Sequence, residues 1–480
     1  MKRMLSVFLT SHVLLLTSSA WAQGPLAPPG APAPMMKTLE QIEPRTPIES
    51  LPFTIGSPGS YFFTRDLAAP GPDGIVIDSS DVALDMKGFE LVGGMGDGIW
   101  VMGGHTNVLI RDGTVRDWDE RGIRADFAHG IVIERVTARD NDGEGIAVGD
   151  DSTVRDCMAM ANGSNGIRTG QRGAVLRCTA AGNGTSGFGS GIMVNPSSLV
   201  RDSTAWDNAD DGISAPGPSC VILNVTAVLN GGAGVNAQMA STIADSIAQG
   251  NTGAGFIIGE TGMIRDSIAL GNLAGPGIHG FFGNSVKRCL SVSNLDGIVL
   301  GGSGTIIDCT VAFNTEAGIS LADSGSVIDC TVNNNNQGGI TGSSGNTIRG
   351  CTLNNNQPHG IWVDSRSLVV DNLVNVSTGL SPDDPDTTGA GIVAAGVQNR
   401  IEGNHVTESE GIGVSVRSVA NVIVRNSAVD NDTNYDMVAG NRYGPIVDLT
   451  PAGGVAAPDM SGDSAPSTLG GDDPMANYAM

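Results

Sequence analysis

The chain has 480 residues, with 69 glycines, 4% aromatic residues and 16% charged residues, a composition of turns and small side chains rather than of a large aromatic core. Its formal net charge of −24 and isoelectric point near 4.4 argue against nucleic acid, anionic membrane and unbridged polyuronate as partners. Long-range repulsion opposes the approach of each.

Residues 1–22 read as a signal peptide. Lys2 and Arg3 precede an apolar run from Val7 to Leu16, and Ala20-Trp21-Ala22 is a small-x-small cleavage site, so Gln23 is expected to begin the mature chain. The protein is therefore expected to be exported, to the periplasm or outside the cell. No second apolar stretch approaches the ~18 residues needed to cross a bilayer, and no transmembrane segment is predicted. Residues 23–50 are rich in Pro and Ala and predict a disordered leader. Residues 51–73 concentrate aromatics, among them Phe53, Tyr61, Phe62 and Phe63. They suit an N-terminal cap, because an open solenoid end exposes core and strand edges.

From residue 74 to 450 the chain is periodic. Eleven asparagines from Asn141 to Asn356 recur about every 21 residues, the mark of a solenoid in which one coil cannot bury its apolar face alone. Aligned coils give a β-branched column (Ile133, Val154, Val175), a Val/Cys/Ser column (Val136, Cys157, Cys178, Ser203) and a small or aliphatic column (Ala138, Ala159, Ala180). Polar residues alternate between them with period 2, as in a strand with one buried face. A second strand opens at a Gly-Ile step such as Gly122-Ile123 or Gly145-Ile146. Two short strands per coil exclude an α-solenoid, and scarce inward Leu excludes leucine-rich repeats. A single-stranded parallel β-helix of about 16 coils remains, roughly 75 Å long at the parallel strand spacing. It is expected to be monomeric. The asparagines suit sharp turns, tolerating left-handed backbone and bonding one another along the axis. Residues 451–480, rich in Gly, Ser, Pro and Asp, predict a disordered tail.

Six of the seven cysteines share one inward column, with Cys289, Cys309, Cys330 and Cys351 on successive coils. In-register neighbours are spaced wider than a disulfide prefers, so buried free thiols are predicted. Cys220 lies off the column. A single-file stack does not converge on zinc.

The Gly-Ile-x-Val units and the Asx/Arg-Cys/Ser-Thr-Ala/Val-x-x-Asn units resemble the repeats of the pectate-lyase-like superfamily. The resemblance covers residues 74 to 432 and implies a right-handed helix. It spans lyases, hydrolases, esterases, epimerases, tailspikes and adhesins, so it implies polysaccharide contact without fixing an activity. It also implies calcium as the candidate cofactor, since lyases on this fold use it to bridge acidic substrates. The polygalacturonase Arg-x-Lys element is absent, and Asp126-Phe127-Ala128-His129 does not match the alginate-epimerase Asp-Pro-His-Asp run.

Departures from the repeat supply the candidate site. The outward slot after Gly-Ile presents Trp100, Arg124, Ala147, Arg168 and, further on, Trp362. Trp100 and Arg124 should lie one coil apart, about 5 Å, so that indole and guanidinium face one ligand. The same coils hold the densest charge run, Arg116 to His129, in which Trp118 takes the asparagine position. Asp119 and His129 are candidate acid and base groups, Arg121 and Arg124 candidate enolate stabilisers. Trp100, Trp118, Arg168 and Trp362 are candidate substrate contacts. An insertion between Gly360 and Gly391 carries Asp383, Asp384 and Asp386, the candidate calcium ligands. Two readings follow: a polysaccharide-binding or polysaccharide-processing surface, with lyase, epimerase or hydrolase chemistry, or a structural or adhesive rod without catalysis.

Overall fold

A computed structural model of the protein describes residues 45–69, 71–379, 389–448, 460–462 and 475–479. The predicted signal peptide, most of the predicted leader and the candidate calcium ligands Asp383, Asp384 and Asp386 lie outside the described residues.

Every coil contributes one strand to a 19-stranded sheet, here sheet B, and its remaining strands to a 36-stranded sheet, here sheet A. All pairing is parallel and in register. Ile123–Ala125 pairs with Ile146–Val148 in sheet B, and Val132–Arg139 pairs with Thr153–Arg155 and then Met158–Met160 in sheet A. Sixteen of the sheet B strands fall between Ile75 and Val416, the stretch delimited by the Gly-Ile steps. The Ile of each step from Gly74 to Gly391 is fully buried, as are the β-branched and alanine columns of sheet A. They form one continuous apolar interior.

A single left-handed residue bends each coil within sheet A, at Asp156, Arg177, Asp202, Asp245 and Asp266 among others. A second bend follows at Asp140, Ala161, Asp207 or Phe313, in each case the residue before the ladder asparagine. The asparagines themselves are not left-handed, which corrects that part of the expectation. Their work is hydrogen bonding. Asn162 Nδ2 donates to Asn183 Oδ1 at 2.9 Å and to the Ala138 carbonyl at 3.1 Å, while its backbone N–H donates to the same Asn183 oxygen at 3.2 Å. This relay runs unbroken from Asn141 to Asn356. Each buried amide is thereby satisfied by the next coil.

All seven cysteines are free and buried. Cys220 belongs to a separate inward corner column with Ser198 and Ser241. Its backbone N–H donates to Ser241 Oγ at 3.1 Å and its thiol donates to the Asn195 carbonyl at 3.4 Å.

Pairing also extends beyond the predicted limits at both ends. Thr46–Ile48, within the stretch expected to be disordered, pairs with Tyr61–Phe63, and Phe53–Ile55 pairs with Ile75–Ile77 in sheet B. Two pieces of the expected disordered tail are strands. Met460–Gly462 pairs with Tyr435–Met437, and Asn477–Ala479 pairs with Ile446–Asp448. Asn477 continues an asparagine column, its Oδ1 accepting from Asn426 Nδ2 at 3.2 Å, a hydrogen-bonding reason for order that a Gly/Ser/Asp-rich composition conceals.

Candidate functional site

The outer face of sheet B is a column of one residue per coil, flanked by the residue before each Gly-Ile step and by the turn after each strand. Trp100 pairs directly with Arg124, and Ala147 separates Arg124 from Arg168. The Arg124 guanidinium lies 5.3 Å from the centre of the Trp100 ring, within range of a cation–π contact. The two side chains thus stack on each other, where the sequence suggested that both would face a ligand.

Around them runs an ionic network. Arg124 bonds Asp97 at 3.2 Å, and its Nε faces Asp126 Oδ1 at 3.5 Å. Arg168 bonds Asp126 at 3.3 Å and also Glu144, while Arg121 bonds Glu144 at 2.8 Å. Three guanidinium groups therefore meet three carboxylates, and local charge is balanced. The Arg124 Nε to Asp126 Oδ1 approach is too long for a hydrogen bond, and both buried atoms lack one. Ala147 is fully buried beneath this layer.

Burial pushes the Asp97 carboxyl up, against the lowering effect of the Arg121 N–H and the Arg124 side chain. Burial opposes ionisation of Glu144 as well, but Arg168 and Arg121 outweigh it and hold that carboxyl low. The difference is one of partners, two guanidinium groups against one.

Asp97 and Glu144 were not singled out by sequence. Both precede a Gly-Ile step, and that column read downward (Asp73, Asp97, Arg121, Glu144) supplies the signal, since residues one rung apart meet across ~4.8 Å. The column also has a structural duty. Asp73 Oδ1 accepts from the Asp97 N–H, and Asp97 Oδ1 from the Arg121 N–H, each at 3.1 Å.

Trp118 is not a surface contact. It is 1% exposed, heading the asparagine ladder with its N–H donated to Asn141 Oδ1 at 3.2 Å and its indole N–H to the Leu91 carbonyl at 3.4 Å. Glycines make its room: a Cβ built on Gly74, Gly94 or Gly98 would come within 3 Å of the ring. Asp119 and His129 are exposed and stand before and after the Ile123–Ala125 strand. No hydrogen bond or ion pair joins them. Trp362 occupies the same outward column as Trp100 but eleven rungs beyond Arg124, ~53 Å away, and takes no part in the network. Among the described residues no group of three or more His, Cys, Asp or Glu side chains can hold a metal ion. Between Asp97 and Asp126 the counter-charge is a guanidinium.

The chain matches the family described as the right-handed β-helix region over residues 67–188 and 296–448, more than half its length. It belongs to that family. A comparison with curated proteins finds no match. Similar solved structures include the pectate lyase Pel9A, at 13% identity over 52% of this chain and 70% of that one with a TM-score of 0.31. The periplasmic alginate epimerase AlgG has 12% identity, 88% and 77% coverage and a TM-score of 0.28. The A-module of the Azotobacter vinelandii mannuronan C-5 epimerase AlgE4 has 13% identity, 86% and 91% coverage and a TM-score of 0.19.

Proposed function

We propose that the protein is an exported β-helix whose outer sheet B face contacts polysaccharide at the Trp100, Arg124 and Arg168 network. The carrying observation is the Trp100–Arg124 stack set among Asp97, Asp126 and Glu144. An indole offers a face to sugar C–H groups, while charge-assisted donors and acceptors around it can take hydroxyl or carboxylate groups. Binding is favoured over turnover, because the candidate enolate stabilisers Arg121 and Arg124 are already engaged by the carboxylates of Glu144 and Asp97. Calcium, if used, would bridge an acidic chain to the carboxylate-rich surface. A second reading, the structural or adhesive rod, is supported by the engagement of all three arginines with carboxylates and by the unbroken asparagine relay.

The mature protein should be tested against uronate-containing and neutral polysaccharides, with and without calcium, following 235 nm absorbance, reducing ends and retention. Retention by at least one polymer that is lost in Trp100→Ala, with no new absorbance or reducing ends, is the expected result. A rise at 235 nm that needs Arg121 and Arg124 would establish eliminative cleavage instead. No retention by any polymer would leave the rod.

A further inference from the structure

The outer column of sheet B divides by charge. The Arg124 and Arg168 region is ionic, whereas from Ser214 to Trp362 eight consecutive rungs in register carry no Asp, Glu, Lys or Arg, a lane ~34 Å long. In its middle sits an aromatic ridge. The His279 and Phe281 rings stack at 5.2 Å and 27°, and Phe281 and Phe282 are 45% and 62% exposed on a chain with only 11 phenylalanines.

Gly301 and Gly302 bound the ridge on the following coil, while on the preceding coil Gly259 lies beside Phe281 and the exposed Glu260 beside Phe282. A Cβ on Gly302 would meet the Phe282 ring at 3.0 Å, so that ring leans on bare backbone and its exposed remainder faces solvent. Neither His279 ring nitrogen has a hydrogen-bond partner among the described residues. Burial lowers its pKa, leaving a neutral imidazole with one donor and one acceptor. Trp362, half-buried in the same column, lies four rungs on, ~19 Å away.

We propose that this lane binds an uncharged glycan along the helix axis, with the His279–Phe281–Phe282 ridge as its stacking platform and Trp362 as a second contact. Aromatic faces take sugar C–H faces, while Ser320 and Thr341 offer neutral groups to hydroxyls without the cost of desolvating a charge; at the lane's start Asn236 Nδ2 is held by the Asp211 carboxylate at 3.0 Å. Electrostatics select this occupant. A polyanion or an anionic membrane is repelled by a chain of net charge −24, and a second copy would bring the same charge against it. The site shares only its ligand class with the Trp100 reading and uses none of its residues.

Affinity electrophoresis of the full chain through glucomannan, galactomannan or hydroxyethylcellulose, with polygalacturonate as the charged control, tests it. At least one neutral polymer should retard the protein, and retardation should persist when salt is raised to about 0.5 M. Phe281→Ala/Phe282→Ala should weaken binding roughly tenfold, and Phe313→Ala, which removes an exposed phenylalanine beside the sheet A strand Thr310–Ala312, should not change it. Unchanged circular dichroism would verify the fold of each variant. The proposal is overturned if no neutral polymer retards the chain, or if the double variant is retarded as strongly as the parent. Loss in Arg124→Ala alone would keep the Trp100 site and remove this one. Sedimentation showing self-association that the double variant abolishes would make the ridge a contact between copies instead.

Discussion

At the scale of single residues, Trp118 shows how an irregular side chain can be structural. In sequence it stands in a charged run and interrupts the asparagine column, which marks it as a candidate ligand contact. The three glycines that make its pocket lie 20 to 44 positions earlier, so no local pattern reports its inward orientation. Trp118→Ala should cost about 3–5 kcal/mol in a denaturant titration, because it leaves a cavity lined by glycine that has no side chains with which to collapse. Gly98→Ala should also lower the melting temperature, since its Cβ would meet the Gly122 carbonyl at 2.6 Å and the Trp118 Nε1 at 2.9 Å. A variant with unchanged stability at both positions would contradict the packing described.

At the scale of strands and turns, what repeats was legible and what pairs across coils was less so. The inward columns, the two strands per coil and the amide relay follow from period and residue type at Ile133, Ala138 and Asn162. The bends did not, because left-handed geometry falls on residues as different as Asp140, Ala161 and Phe313, imposed by the coil rather than by local preference. Likewise Trp100 and Arg124 were correctly placed one rung apart, whereas Asp97 and Glu144 escaped notice because their partners are 27 and 24 positions away. The relay itself predicts a measurable penalty. Asn251 bonds Asn272 and the Ala227 carbonyl and accepts from Asn230, so Asn251→Ala should destabilise by about 3 kcal/mol through stranded buried groups. Nature supplies a comparison at Ser377 and Ser409, which follow Asn356 in the ladder and whose hydroxyls are buried without partners. Ser409→Ala should be nearly neutral by the same measurement.

At the scale of the whole molecule, acid sensitivity should centre on His359. Both its ring nitrogens are buried without partners, although the residue as a whole is half-buried, and burial pulls its pKa down to about 4. The folded value lies below the unfolded value of about 6.5, so the unfolded chain binds the proton first. Stability is lost as pH falls from 6.5 toward 4, by roughly 3 kcal/mol in all. Urea midpoints at pH 7 and pH 4.5 should differ less in His359→Leu than in the parent, and an equal difference would clear this residue. The thiol ladder has a consequence of another kind. In the finished helix every cysteine is walled in, so an oxidant has no sulfur to attack. Before the coils stack, the same seven sulfurs are all accessible on one long unfolded chain. The hazard is therefore one of timing, and the helix must close over its cysteines before they find one another. Refolding with reductant followed by oxidant should return seven titratable thiols after denaturation. Refolding with oxidant from the start should yield cross-linked chains that never complete the stack.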